Sequence, residues 1–378
     1  MRVLHVITGL GIGGAEQQLR LLASRMPTQT RVLALTNPGK VADGLRADGV
    51  PVAHLGMEGN RDLSVLPRLV RLIRRGRYDV VHTHLYRACV YGRLAARLAG
   101  VPAVVATEHS LGGSQIEGRP LSAGTRGLYL ASERLGQCTV AVSPSVARRL
   151  EDWGVDGARI RVVPNGIDAG RFAFDPEQRA AARRRLGIAP DAFVVGGVGR
   201  LAAGKRFDLL VRAVARVPDA HLVLVGEGDE RVRLLRAAQK HGVRRRVVLT
   251  GACADPPEPG APAGSGLPAL LAAMDVFVST SPDEAFGLAV VEALAAGLPV
   301  LYAACPAIAD LPRDAVPAAR PISGDPDELA SLLRKFAAER PARRPVADGV
   351  LRYDIAHSTR QLMSLYEDVL QRTVSSSK

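Results

Sequence analysis

Aromatic residues are scarce in this 378-residue sequence: one Trp, seven Tyr and seven Phe, 4% of the chain. Binding single-stranded nucleic acid without sequence preference calls for aromatic stacking beside a basic groove, so the scarcity argues against nucleic acid as a partner. Cysteines number four, at positions 89, 138, 253 and 305, far apart and without metal-ligand spacing. They are expected to be reduced and structural. No apolar run approaches the roughly 20 residues of a membrane-spanning helix. The N-terminus enters a strand-like run, Arg2-Val3-Leu4-His5-Val6-Ile7, without the pattern of a cleavable leader. These absences point to a cytoplasmic enzyme of two domains at ordinary domain sizes.

Positive charge, by contrast, is abundant. Fifty Lys and Arg face 37 Asp and Glu, for a net charge of +13, and only five of the fifty are Lys. Residues 1–167 hold 22 basic against 12 acidic side chains, +10, and the remainder 28 against 25, +3. A basic first half suits an anionic partner, either membrane phospholipid or a polyanionic substrate. One helix concentrates it: Leu66, Leu69, Val70, Leu72 and Ile73 form an apolar stripe, and arginines fill most of the rest. Such a helix either packs inward with a solvated basic face or lies on an anionic membrane surface.

Apolar runs alternate with helical periodicity along the chain. Strands are expected at 2–8, 30–36, 51–55, 79–84, 102–107, 138–143 and 160–163, and again at 193–198, 220–225, 246–250, 275–279 and 299–303. Helices are expected between them, among others at 204–217, 284–296 and 354–371. This predicts two α/β, Rossmann-like halves with parallel sheets. They meet at Val162-Val163-Pro164-Asn165-Gly166-Ile167-Asp168, whose Pro and Asn-Gly suit a hinge.

Five stretches carry chemistry. Gly9-Leu10-Gly11-Ile12-Gly13-Gly14 follows the first strand. It matches a dinucleotide fingerprint, but that fingerprint needs an acid about 20 residues on. The second strand ends Leu35-Thr36-Asn37-Pro38, with no acid until Asp43, which disfavours a nicotinamide dehydrogenase. Glycine amides opening a helix still suit an anion. Gly199-Arg200-Leu201-Ala202-Ala203-Gly204-Lys205 follows a second-half strand, and writes Lys where the chain otherwise prefers Arg. A compact ammonium and a planar guanidinium both suit phosphate. Ser281-Pro282-Asp283-Glu284-Ala285-Phe286-Gly287 leads into a helix carrying Glu292. On a continuous helix two glutamates eight apart are separated by about 12 Å, which suits a long polar ligand. It is too far for paired carboxyls at one hydrolysed glycosidic bond, which stand about 5–9.5 Å apart. Finally, Val80-Val81-His82-Thr83-His84 and Val104-Val105-Ala106-Thr107-Glu108-His109 place histidines at strand ends.

The stretch Ser-x-x-Glu-x-Phe-Gly-x4-Glu-Ala-x-Ala-x-Gly-x-Pro-Val, from Ser281 to Val300, resembles the Glu-x7-Glu motif of retaining, family 4-type glycosyltransferases. Gly-x-Gly-Gly, Pro-Asn-Gly-Ile-Asp and Gly-Arg-Leu with Lys205 resemble that family's other motifs and fall in its order. The resemblance covers nearly the whole chain. It implies a GT-B fold, two Rossmann-like domains facing each other across a deep cleft: an acceptor domain over 1–167, a nucleotide-sugar domain over 168–352, and a helix over 353–378 crossing back to the first. It implies transfer of a hexosyl unit from a nucleoside-diphosphate sugar, UDP by family frequency, to a hydroxyl on a glycan, a glycolipid or a small molecule. Arg200, Lys205 and the Gly13 and Gly14 amides would hold the diphosphate. Glu284, Phe286, Gly287 and Leu288 would meet the sugar, Glu292 the ribose, and His109 would orient the sugar. Glu108 would lie on the acceptor side. The family does not need a metal bound through an Asp-x-Asp motif, and no metal or cofactor is expected. Relatives show Gly where this chain has Arg206, and a Gly-Gly turn near Ala303-Ala304. A place on the inner face of the membrane, in envelope or exopolysaccharide synthesis, follows from the basic first half. The alternatives are a GT-B epimerase or hydrolase of sugar nucleotides, and a donor-binding subunit that transfers nothing.

Overall fold

Runs of branched apolar residues become parallel strands in two separate sheets. The computed structural model describes residues 1–36, 38–112, 115–117, 119–253, 260–309 and 311–376. In the first half β1 (Arg2–Ile7), β2 (Gln29–Ala34), β3 (Val52–His54), β4 (Val80–His84) and β5 (Ala103–Glu108) are followed by a short antiparallel pair, β6 (Gln115–Ile116) and β7 (Arg119–Pro120), then β8 (Cys138–Ala141) and β9 (Ile160–Val162). The main sheet runs β3-β2-β1-β4-β5-β8-β9. In the second half β10 (Val194–Val198), β11 (His221–Val225), β12 (Val247–Leu249), β13 (Val276–Ser279), β14 (Val300–Tyr302) and β15 (Ala319–Pro321) order as β12-β11-β10-β13-β14-β15. Strand order reverses between β1 and β4 in one sheet and between β10 and β13 in the other. Ligands of open α/β sheets bind beyond the carboxyl ends of the strands at such switch points.

Helices cover both sheets: α1 (Gly14–Ala23), α2 (Lys40–Ala47), α3 (Val65–Gly76), α4 (Tyr86–Ala99), α5 (Ala123–Glu133) and α6 (Pro144–Trp153), then α7 (Pro176–Leu186), α8 (Phe207–Val214), α9 (Arg231–Lys240), α10 (Leu267–Ala273), α11 (Leu288–Ala295), α12 (Pro306–Ala309), α13 (Pro326–Glu339), α14 (Asp348–Leu351) and α15 (Ile355–Ser376). Two units result, Met1–Gly166 with Ile355–Lys378, and Ile167–Asp354. The C-terminal α15 belongs to the first unit, where Leu362, Leu365, Tyr366 and Val369 pack on Val3, Val80, Val105 and Val140. In the second unit β10, β11 and β13 bury Val195, Leu222, Leu224, Val276 and Val278 against α8 and α13.

Three departures from expectation have local causes. The helix expected over 284–296 begins only at Leu288, because Gly287 turns the chain at φ +97 and the Phe286 carbonyl is held by the Ala307 amide at 2.9 Å. Glu284 therefore lies in the loop before the helix, and the axial spacing inferred for the two glutamates does not apply. The helix expected from 204 begins at Phe207, after a 3-10 turn at Ala203–Lys205. Helices α2 and α7 and strand β15 were not expected. α7 has clear caps, Asp175 before it, Pro176 as its first residue and Gly187 after it, but no apolar stripe: its buried residues are Ala182 and Arg183.

Candidate functional site

In the second unit, glycines let two loops lie against each other at the carboxyl ends of β10 and β11. The Gly199 amide donates to the Val225 carbonyl at 2.9 Å, and Leu201 to the Glu227 carbonyl at 2.8 Å. A Cβ on Gly226 would stand 1.9 Å from the Gly199 oxygen, and one on Gly228 2.3 Å from the Leu201 oxygen. Both glycines have positive φ, +145 and +155, which side chains rarely tolerate. Arg200 leaves this pair of loops exposed to solvent. Lys205 closes the following turn, and its carbonyl accepts from the Thr280 hydroxyl at 2.7 Å, tying the turn to the end of β13.

Across the switch point, the Lys205 ammonium meets Glu284 Oε1 at 2.5 Å, with side chains 32% and 16% exposed. These residues stand 79 apart in the chain; the adjacency of β10 and β13 brings them together. The loop after Glu284 is held from behind. A Cβ on Gly287 would lie 2.5 Å from Cys305 Sγ, and the Cys305 thiol is hydrogen-bonded to the Phe286 carbonyl at 3.4 Å. Burial pushes that thiol up to about 12, consistent with a structural role. Phe286 is buried edge-on against Tyr353, ring centroids 5.1 Å apart. Leu288 opens α11 and Glu292 follows on its second turn, half-buried. An Asp-x-Asp spacing does occur in the sequence, Asp325-Pro326-Asp327. Asp325 there caps α13, accepting from the Asp327 amide at 3.0 Å. The Pro- and Gly-rich stretch Asp255-Pro256-Pro257-Glu258-Pro259-Gly260 of the sequence lies outside the described residues up to Pro259.

In the first unit the switch point holds histidines instead of charges. His5, His82 and His84 share one face of the sheet because strand side chains alternate and β1 and β4 pair in register, His5 with His82. All three are fully buried. His5 Nδ1 lies 2.9 Å from His84 Nε2, and His84 Nδ1 lies 3.0 Å from His109 Nε2 just past β5. His82 bonds sideways, to the Tyr366 hydroxyl of α15 at 2.5 Å and the Thr107 hydroxyl at 2.6 Å. Burial lowers His5 to about 3 and His109 to about 4, and pushes His82 and His84 well down, helped by their neighbours' charge. Every ring is therefore neutral near pH 7. Leu85, the residue after His84, sits at φ +72, a conformation that costs a non-glycine residue about 1–3 kcal/mol and clusters at functional sites.

Gly13 and Gly14 open α1 after β1. Gly13 is extended and has no side chain to cap the helix; the Glu16 carboxylate of the first turn lies against it, 2.4 Å from where a Cβ would stand. Glu108 is fully buried, and burial, then Glu117, raises it to about 7. The Gly-rich segment 111–127, which looks like an acceptor loop in the sequence, falls partly outside the described residues, at 113, 114 and 118, and Asn37 lies outside them too. Sequence reading missed His5 and Tyr366. The signal for His5 was strand parity: it is even with His82 once β1 and β4 are paired.

The two halves match two family models, Glycosyltransferase Family 4 over residues 12–171 and Glycosyl transferases group 1 over residues 178–348. A D-inositol 3-phosphate glycosyltransferase of Mycolicibacterium gilvum is 31% identical over 306 residues, 77% of this chain and 66% of that protein. The UDP-Gal:alpha-D-GlcNAc-diphosphoundecaprenol alpha-1,3-galactosyltransferase of Escherichia coli is 30% identical over 270 residues, 68% of this chain and 66% of that one. The crystal structure of Anabaena HepE in complex with UDP and glucose superposes with a TM-score of 0.83 at 23% identity, covering 97% of this chain and 99% of the other. The matches span 60% to 70% of the length of the relatives that act as D-inositol 3-phosphate glycosyltransferases. The fold is GT-B, as the motifs implied. This chain belongs to the group 1 glycosyl transferases, with a family 4 N-terminal half.

Proposed function

We propose that the chain is a retaining glycosyltransferase that moves a hexosyl unit from a UDP-sugar to a hydroxyl acceptor in envelope or exopolysaccharide synthesis. The observation that carries this reading is the Lys205–Glu284 pair at 2.5 Å, at the carboxyl ends of β10 and β13. With donor bound, Lys205 and Arg200 take the diphosphate, the role that the family resemblance also gives to the Gly13 and Gly14 amides. Glu284 turns to the sugar hydroxyls beside the Phe286, Gly287 and Leu288 backbone, and Glu292 to the ribose. The bond between the anomeric carbon and the β-phosphate oxygen breaks, and the acceptor oxygen bonds to that carbon on the same face. The acceptor's proton passes to the departing β-phosphate. Stabilising the leaving charge is the dominant demand; no metal is needed for it in this reading. His109 orients the sugar.

UDP is favoured by the UDP-Gal donor named for the Escherichia coli relative. The same name carries a lipid-linked diphosphate acceptor, which would hold the enzyme at an inner membrane surface. A groove of about 560 Å³ towards the amino edge of the first sheet supports such contact: Arg2, Arg31, Arg68, Arg71 and Arg75 line it, and no carboxylate does. No helix among the described residues is long and apolar enough to cross a membrane, so this contact would be peripheral. Thermal-shift binding of UDP, GDP and ADP and their hexose conjugates tests the donor assignment, with Lys205→Ala and Glu292→Ala alongside. One nucleotide should stabilise the wild type, and both substitutions should weaken its effect. Folded protein stabilised by none of them would overturn the donor assignment; stabilisation without transfer to any hydroxyl would point instead to the donor-binding subunit.

A further inference from the structure

The amino edge of the first sheet, opposite its switch point, gathers arginines that no carboxylate answers. The groove there has a buried apolar floor that includes Leu4, Leu33 and Leu55. Arg2, Arg31, Arg68, Arg71 and Arg75 stand exposed around it. Register accounts for the grouping: Arg31 pairs with Leu4 across β2 and β1, and positions 68, 71 and 75 follow one side of α3 turn by turn. Among the described residues none of the five is in an ion pair. The acids nearby are engaged elsewhere: Asp79 accepts from the Arg2 backbone amide at 2.7 Å, Asp48 from Arg20 and Asp62 from Ser64.

Apolar side chains are exposed at the same edge. Leu98, in the last turn of α4, is 50% exposed, and Met1 precedes β1 at 38%. Arg74 reaches from α3 to the Leu98 carbonyl at 2.7 Å and joins the two helix ends there. Apolar groups set among cations match an anionic bilayer, where the first enter the acyl boundary and the second meet phosphate. A soluble anion or an acidic peptide would use the arginines and leave Leu98 in water. Leu63, at the start of α3 and so at the other edge, is 69% exposed. It follows Asp62, whose charge an anionic surface repels. Glu151, Asp152 and Asp156 precede β9, at the far end of the sheet from the groove.

We propose that the first unit rests on anionic phospholipid by the amino edge of β3, β2, β1 and β4, with lipid phosphates in the arginine groove and Leu98 at the acyl boundary. This rests on the membrane contact proposed above and gives it an orientation: the strands point away from the bilayer. At about 3.3 Å per residue the six residues of β1 lift the carboxyl edge about 17 Å above the phosphates. Ligands of such sheets bind at that edge. A hydroxyl on the sugar joined directly to a lipid diphosphate does not reach so far. The acceptor is therefore the distal end of a glycan already several sugars long, and an earlier glycosyl transfer must supply it.

Sedimentation with phosphatidylcholine vesicles, with and without phosphatidylglycerol, tests the contact. The full chain should bind the anionic vesicles alone and leave them at high salt. Arg71→Gln with Arg75→Gln should weaken binding about twentyfold, at about fivefold per arginine, with the urea midpoint unchanged. Nitroxide labels at Leu98→Cys and at Leu63→Cys read the orientation, each in a Cys253→Ser background because the other three cysteines are buried. On vesicles the label at 98 should be shielded from a water-soluble relaxation agent, and the label at 63 should stay open to it. Anionic binding with both labels shielded, or with 63 alone shielded, would overturn the proposal and leave a membrane contact standing. So would wild-type binding by the double variant, or ready transfer from a UDP-hexose to a single sugar on a polyprenyl diphosphate in these vesicles. No binding to anionic vesicles would overturn the proposal and the membrane contact together. The expected orientation with no transfer to any acceptor would count against the glycosyl-transfer reading alone.

Discussion

The two switch points solve the same topological problem with opposite chemistry. In the first unit the loop-facing end of the sheet is a buried, neutral row of histidines, built by strand register. In the second it is a half-exposed ion pair with a free-standing arginine, built by loops that glycines allow to approach. Neutral groups tolerate burial only with every link satisfied. Charged ones need water nearby, and the Lys205–Glu284 pair keeps it, with side chains 32% and 16% exposed. The first end therefore carries no charge on its imidazoles near neutral pH, whereas the second keeps charged groups beside solvent. The difference also makes the two ends respond differently to pH.

Acid should break the first end and spare the second, and this is the largest effect expected. His5 and His109 are depressed to about 3 and about 4, so their neutral state contributes stability that is fully present above the unfolded value near 6.5 and is lost as pH falls through 4 and 3. The penalty builds at about 1.4 kcal/mol per pH unit for each histidine that stays neutral, about 3 kcal/mol per unit for these two. Arg93 adds its charge against His82. Glu108, raised to about 7, acts the other way, since its contribution is present below the carboxyl's ordinary range and lost as pH rises through 7. One carboxyl does not offset the histidines. Hydrogen exchange, corrected for intrinsic rates, should show β4 and α15 losing protection between pH 6.5 and 5 while β10 and β13 keep theirs. Equal loss at both sheets would remove the contrast.

At the second end the test is geometric. Gly226→Ala places a Cβ 1.9 Å from the Gly199 carbonyl oxygen, at φ +145. Backbone atoms on both sides must move, and a cost of about 2–4 kcal/mol is expected. The moved loop carries Arg200 and leads to Lys205, so nucleotide binding should fall with stability, as read by urea unfolding and by UDP titration. The first-unit histidine signals should not change.

How much of this was legible in the sequence depended on whether a feature is local. Parallel strands such as Val194–Val198 and Val276–Ser279 read directly as apolar runs, because both faces are covered. Lys205 and Glu284 were each singled out by their loops, but their contact was not, since it depends on strand order between residues 79 apart. His5 was invisible for the same reason. The start of α11 was misplaced because Asp283, Glu284 and Ala285 are acceptable helix openers. The Gly287 turn, tied through Phe286 to Ala307, overrode that preference from a distance. α7 hid because arginines fill the positions where an apolar stripe would have shown.

Arg206 gives the smallest effect and the finest comparison between these ends. Both switch points carry a non-glycine residue at positive φ where a loop enters a helix: Leu85 at +72 and Arg206 at +50. Leu85 is buried, at 9% exposure, so replacing it with glycine would relieve strain and lose packing together. Arg206 is exposed, with ψ 37, and caps α8 in the left-handed region, where glycine pays no Cβ penalty. The sequence motif of the family has Gly there, and the structure supplies the physical reason. The left-handed conformation costs a side-chain-bearing residue about 1–2 kcal/mol, while glycine's extra freedom in the unfolded chain returns about 0.5–1 kcal/mol of that. Arg206→Gly should therefore stabilise the protein by roughly 0.5–1 kcal/mol, measured as a higher urea midpoint with an unchanged slope. UDP affinity should stay within about twofold if Lys205 and Arg200 carry the phosphate alone. A larger fall would make Arg206 a third cation of the donor site, whose side chain holds the left-handed turn for function and not by default.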